Sequence, residues 1–225
     1  MVNLPTSQII EKTEKFVQDV FQQEATGHDW WHTYRVRRLS VKIAQEEGAN
    51  LFIVEMAALL HDIGDYKFFA GDEKLGQEKV AQYLYSLPLN SSQIRQISAI
   101  TSNISFMNTL SQVDNDKVEK KSLEFQVVSD ADKLDAMGAI GIARVFTYGG
   151  FYHRPIYDPR IPPHPHLSCE EYKTTNDPSI NHFYEKLLKL KDMMYTTYGK
   201  KLAQDRHNFL KEYLRRFYQE WRGQK

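Results

Sequence analysis

The stretch LFIVEMAALLHDIGD, residues 51–65, runs ten mostly apolar residues straight into His61, Asp62, a glycine and a second aspartate. An apolar run this long outlasts most strands, which rarely exceed about 8 residues, and predicts a buried helix with Gly64 as its C-cap. That helix carries an imidazole and a carboxylate to its inner end. Burying such groups is costly unless they are paired, hydrogen-bonded or bound to a metal. A lone His-Asp dipeptide is most simply a capping or core pair, so its meaning depends on what else the chain holds.

Two further phrases place His or Asp on predicted helices: GHDWWHTYRV at 27–36 and SDADKLDAMG at 129–138. In the first, Asp29 is positioned to cap a helix that Gly48 ends, and Tyr34, Val36, Leu39 and Ile43 form its inward side. His28 and His32 would share a face only if the helix began before His28; Gly27 and the cap at Asp29 leave His28 outside and His32 inside. Arg35 follows His32 by three residues and projects from the same face. Its planar guanidinium suits a phosphate, whereas Arg37, Arg38 and Lys42 read as exposed basic surface. In the second phrase Phe125, Val128, Ala131 and Leu134 keep helical spacing, with Asp132, Asp135 and Ala139 on the opposite face and Gly138 allowing a close approach.

Taken together, an isolated histidine, a His-Asp pair and a later aspartate resemble the pattern of the HD-domain metal-dependent phosphohydrolase superfamily. The phrases RV, AALLHDIGD and DADKLDAMG are especially similar to a small bacterial branch, over roughly the first two thirds of the chain. The resemblance implies a helical HD-domain bundle whose metal ligands are His32, His61, Asp62 and Asp132, with Asp130 and Asp135 as rivals for the last place. Two imidazoles and two carboxylates suit a divalent ion, Mn²⁺ by preference, with Fe²⁺, Co²⁺, Ni²⁺, Zn²⁺ or Mg²⁺ as alternatives. One ion is expected, because the segment SNISF offers Asn103 and no further histidine. Asp65 is the first choice for handling a proton, and Arg35, Lys67, Lys133 and Arg144 are candidates to hold phosphoryl charge. Lys133 directly follows the metal aspartate; the alternative for it is a solvated lysine. The implied activity is phosphohydrolysis of a nucleotide, with (deoxy)nucleoside triphosphate pyrophosphohydrolase preferred. A nucleoside monophosphate phosphatase, a cyclic-nucleotide phosphodiesterase and a non-catalytic nucleotide-binding regulatory module are the alternatives.

The whole chain narrows the setting. Its 225 residues suit one domain: a core over 7–147, a lid-like loop over 149–178 and C-terminal helices over 179–222. Lysine plus arginine balances aspartate plus glutamate at 29 each, which argues against the broad positive field of a nucleic-acid binder. The single cysteine, Cys169, has no internal partner, the N-terminus lacks the pattern of a signal peptide, and no stretch approaches the ~18 apolar residues of a membrane span. A cytoplasmic protein with a small phosphorylated metabolite as its partner is expected, and a homodimer is compatible with it.

The other segments read as helices or connections. Ile9, Ile10, Phe16, Val17, Val20 and Phe21 mark a first helix over 7–23, Val80, Tyr83, Leu84 and Leu87 another, and Ile94, Ile97, Ile100 and Ile104 one from Ser91 to Ser105. Residues 108–121 are polar. The lid-like segment holds most of the prolines, with His153 and Arg154 as substrate contacts and Phe151, Tyr152 and Tyr157 as rings for a base; His164 and His166 have no assigned role. Beyond it, one long or two shorter helices follow, with Gly199 as a possible break. No strand alternation stands out, and the fold class expected is all-α.

Overall fold

The computed structural model describes residues 4–21, 29–63, 73–104, 121–164 and 177–225, and among them every regular element is helical. They group into two compact units, Met1–Ala131 and Asp132–Lys225, and the division falls inside a single helix.

The first unit is built around the quoted stretch. Its helices are α1 (Thr6–Val20), α2 (Trp30–Glu47), α3 (Leu51–Leu60), α4 (Glu73–Tyr85), α5 (Ser91–Asn103) and the start of α6 (Leu123–Asp135). Val54, Met56, Ala57, Ala58, Leu59 and Leu60 of α3 are all shut off from solvent. A helix apolar all round is stable only when surrounded, and α1, α2 and α5 all pack on this one. Asn50 starts it by accepting a hydrogen bond from the Ile53 amide, while its own amide donates to Glu124 on α6. The short link from α2 depends on Gly48, whose φ of 75° ends the preceding helix in the left-handed conformation.

Polar groups tie the outer helices to this core. The Tyr83 hydroxyl donates to Thr13 on α1 at 3.0 Å, Thr13 donates to the Ile9 carbonyl, and the Tyr83 ring stacks on Phe16 at 3.9 Å. Arg37 departs from its expected place on an open basic face. It is half-buried and bridges Glu14 on α1 to Glu55 on α3, the latter at 2.7 Å. Three helices are thereby joined at one guanidinium.

In the second unit α6 ends at Asp135 and α7 (Gly138–Phe151) begins after a two-residue elbow, so Ala139 does not share a helix face with Asp132 as expected. The lid-like segment begins later than expected, because Gly149, Gly150 and Phe151 are the last turn of α7. After residue 164 the chain is described again from 177, through α8 (Asn181–Glu185), a 3-10 helix (Leu187–Met193) and α9 (Thr197–Trp221). Gly199 does not break the C-terminal helix. It lies in the first turn of α9, where its amide is capped by the Thr196 hydroxyl at 2.9 Å. Phe183 and Tyr213 stack at 5.7 Å with Phe146 beside both, which holds α7 and α8 to α9.

Residues 152–164 are pinned rather than loose. Ser179 and Ile180 donate backbone bonds to Pro155 and Ile156, Asn181 donates to the Ile161 carbonyl, and Tyr157 sits edge-on among Phe217, Tyr218 and Trp221. Its ring is occupied by α9, which removes it as a free platform for a base.

Candidate metal centre

α2 begins at the Asp29 cap, whose carboxylate accepts from the His32 amide at 2.8 Å, and this sets the rotation of a fully buried His32 side chain. His61 follows directly on α3. Its Nδ1 lies 2.7 Å from the Ala58 carbonyl; a carbonyl can only accept, so Nδ1 carries a proton and Nε2 is turned outward. A backbone carbonyl on the non-ligating nitrogen is the arrangement that orients metal-binding imidazoles.

Three groups of the first unit then face one another. His61 Nε2 is 3.3 Å from His32 Nε2, His32 Nε2 is 3.2 Å from one carboxylate oxygen of Asp62, and His61 Nε2 is 3.4 Å from the other. Two atoms held about 2.1 Å from a shared ion, at bond angles of 90–109°, stand about 3.0–3.4 Å apart. All three separations match that span. A buried cluster of imidazole lone pairs and a carboxylate is also the chemistry that a cation neutralises, so the residues fit a divalent ion.

Asp132 is the next residue after Ala131 in the unbroken helix α6, where the second unit begins. Its rivals are placed otherwise. Asp135 is buried and accepts from Arg144 at 3.0 Å, so its charge is matched; Asp130, two residues before Asp132 and so on the other side of the helix, is completely buried. His32, His61 and Asp62 of the first unit can therefore hold a divalent metal.

The basic candidates are distributed differently. Arg35 is half-buried on α2. Lys133 is buried with its ammonium over the Tyr195 ring at 5.2 Å, which excludes the solvated alternative. Arg144 is engaged with Asp135, and the Arg154 guanidinium lies over the Tyr148 ring at 5.3 Å. Gly64, Asp65 and Lys67, like His28 and His166, fall outside the described residues. One residue carries no signal in the sequence: burial, with Lys186, Arg154 and Arg144 adding like charge, holds the His182 imidazole down at about 3, so it is neutral at physiological pH. No motif surrounds His182; Lys186 is four residues along the chain, and the fold brings Arg144 and Arg154.

His153 has a backbone role that its chemistry does not announce. It is exposed with φ 55°, the only non-glycine residue with positive φ among the described residues, at the position just past the end of α7. Its amide donates to the Gly150 carbonyl and the Arg154 amide to that of Gly149, the paired bonds of a Schellman turn. The left-handed conformation costs a β-carbon roughly 1–2 kcal/mol. His153→Gly is therefore expected to raise the melting temperature by a few degrees; a lower one in thermal unfolding would refute this reading of the turn.

Comparison with known proteins gives the family. The HD domain family matches residues 30–137, which span all four residues named above. The YpgQ protein of Bacillus subtilis (strain 168) is 35% identical over 207 residues, covering 91% of this chain and 90% of its own. Among solved structures, an HD-superfamily hydrolase from Bacillus thuringiensis is 40% identical with a TM-score of 0.77, covering 97% of this chain and 99% of that one. B. subtilis YpgQ in complex with ADP is 31% identical with a TM-score of 0.73, covering 96% of this chain and all of that one. With its helical fold and buried histidine–aspartate cluster, this chain belongs to the HD-domain metal-dependent phosphohydrolase superfamily.

Proposed function

We propose that the chain hydrolyses nucleotides, with (deoxy)nucleoside triphosphates as the preferred substrates and pyrophosphate as the released product. The observation that carries the reading is the trio of 3.2–3.4 Å separations among His32, His61 and Asp62, a spacing suited to one divalent cation. The ADP complex of the YpgQ relative supports a nucleotide as the ligand.

In this proposal His32, His61, Asp62 and Asp132 hold the ion, preferentially Mn²⁺, which when bound polarises a phosphoryl oxygen and lowers the pKa of water from about 15.7 toward about 7. Asp65 accepts or orients the proton of the attacking water. Arg35, Lys67 and Lys133 are assigned to the phosphate oxygens, whose charge grows as the P–O bond breaks. Arg144 and Arg154 serve the same charge, and the segment 149–178 acts as the lid. His153 is retained as an outer contact.

The test is a metal-supplemented screen of phosphorylated metabolites that identifies the product as phosphate, pyrophosphate or triphosphate. Pyrophosphate supports the proposal. Phosphate from monophosphates, or ring opening of cyclic nucleotides, moves the activity to another member of the class, and tight nucleotide binding without turnover assigns a regulatory module. On the substrate so found, Asp65→Asn is expected to keep its metal and lose most of its turnover, while Arg154→Ala keeps its metal and shows a higher KM or lower kcat. Near-normal turnover in Asp65→Asn would remove that residue from proton handling.

A further inference from the structure

We infer that Arg206 is a positioning residue for the metal centre: it clasps the end of the helix that carries Asp132 and so holds that carboxylate at its working height. The inference rests on the proposal that Asp132 is a ligand.

The last carbonyls of a helix have no partner within it and are the weak point at which its final turn frays. Asp132 lies in the final turn of α6. The Leu134 carbonyl accepts the Met137 amide at 3.0 Å, and the guanidinium of Arg206, from the middle of α9, donates to the same oxygen. A cation at this end also meets the negative pole of the helix. Arg144 secures the next residue through Asp135 at 3.0 Å. Gly138, with φ +69°, brings the elbow against the stem of Arg206; a β-carbon there would stand 3.2 Å from its Cγ. An ordinary surface arginine makes none of these contacts. Arg206 is half-buried, and Arg144 and Arg206 grip two consecutive residues of the turn that begins at Asp132.

The consequence is specific. A ligand whose backbone can fray must be ordered each time the ion binds, so releasing the clasp weakens metal affinity without removing a donor atom, an effect on the order of 10–100-fold for groups that support ligands. A purely structural arginine would lower thermal stability and leave the affinity of the folded protein alone.

The experiment titrates the full-length, metal-free protein with Co²⁺ and follows the visible absorption of the bound ion. Hydrogen exchange of the amides of residues 135–138 is measured on the same metal-free samples. Arg206→Met is expected to bind Co²⁺ at least about 10-fold more weakly and to exchange faster over 135–138; Arg206→Lys, which keeps a donor and a charge, recovers part of both. Arg215→Met, which removes an exposed arginine paired with Glu212 on the same helix, should match the wild type. If Arg206→Met does not fold by circular dichroism, Arg206→Gln is read in its place with the same expectation. Wild-type affinity in the neutral variant, alongside weakened Co²⁺ binding in Asp132→Asn, would overturn the role of Arg206 alone. Wild-type affinity in Asp132→Asn would overturn the ligand assignment beneath it.

Discussion

His61→Ala and Asp62→Ala are each expected to purify without a bound divalent ion and to lose nucleotide hydrolysis by on the order of 10³-fold or more, while circular dichroism still reports a helical protein. The size follows from what the ion contributes: its Lewis acidity is worth several kcal/mol in the transition state, and each 1.36 kcal/mol is about tenfold in rate. The fold should survive because the burial that stabilises α3 lies in Met56 to Leu60, upstream of the site, and those side chains are untouched. Removing His61 also relieves a crowded set of polar groups, since His32 Nε2 and Asp62 each lie within 3.4 Å of its ring. Elemental analysis of the purified variants beside turnover on the identified substrate tests the expectation. Stoichiometric metal in His61→Ala, or full turnover without metal, would remove this cluster from the chemistry.

How much of this is legible in the sequence varies with the range of the interaction responsible. α3 can be read because its apolar run exceeds any strand, and its two boundaries rest on local features: Gly48 and Asn50 lie beside it in the chain. The Asp29 cap is likewise local, and its position alone separates His32 from His28. Ligand order within DADKLD is harder to read. Asp130, Asp132 and Asp135 differ only in rotation about one helix, and the pairing of Asp135 with Arg144 comes from nine residues away. Arg37 misleads because its partners, Glu14 and Glu55, come from two other helices; the residue types are those of a solvated face, and only tertiary packing buries them. Lys133 is the same case, its ammonium settling over Tyr195 far along the chain. The elbow at 136–137 reads as continuous helix in the sequence, because nothing in DAMGAIG except its glycines marks a stop.

Those glycines support the second large effect. Gly141→Ala is expected to destabilise the protein by about 3 kcal/mol, the upper end of what overpacking costs, and to lower its melting temperature by about 6–12 °C. A β-carbon at 141 would stand 2.2 Å from the carbonyl oxygen of Ala136 and 2.5 Å from its carbon. Both are backbone atoms of the elbow, so no side chain can swing aside, and α7 must shift away from the end of α6. Gly138→Ala meets only the flexible stem of Arg206, and its cost, roughly 1–2 kcal/mol, comes mainly from the left-handed φ of +69°. Gly150→Ala is the contrast: nothing lies within 4 Å, the residue is exposed inside α7, and relief of chain entropy should leave the variant unchanged or more stable by up to about 1 kcal/mol. The expected order of melting temperatures is therefore Gly150→Ala highest, then Gly138→Ala, then Gly141→Ala. Because the elbow directly follows the turn that carries Asp132, Gly141→Ala should also bind Co²⁺ more weakly even where it remains folded. A melting temperature for Gly141→Ala no lower than that of Gly150→Ala would show that the two helices do not meet as described.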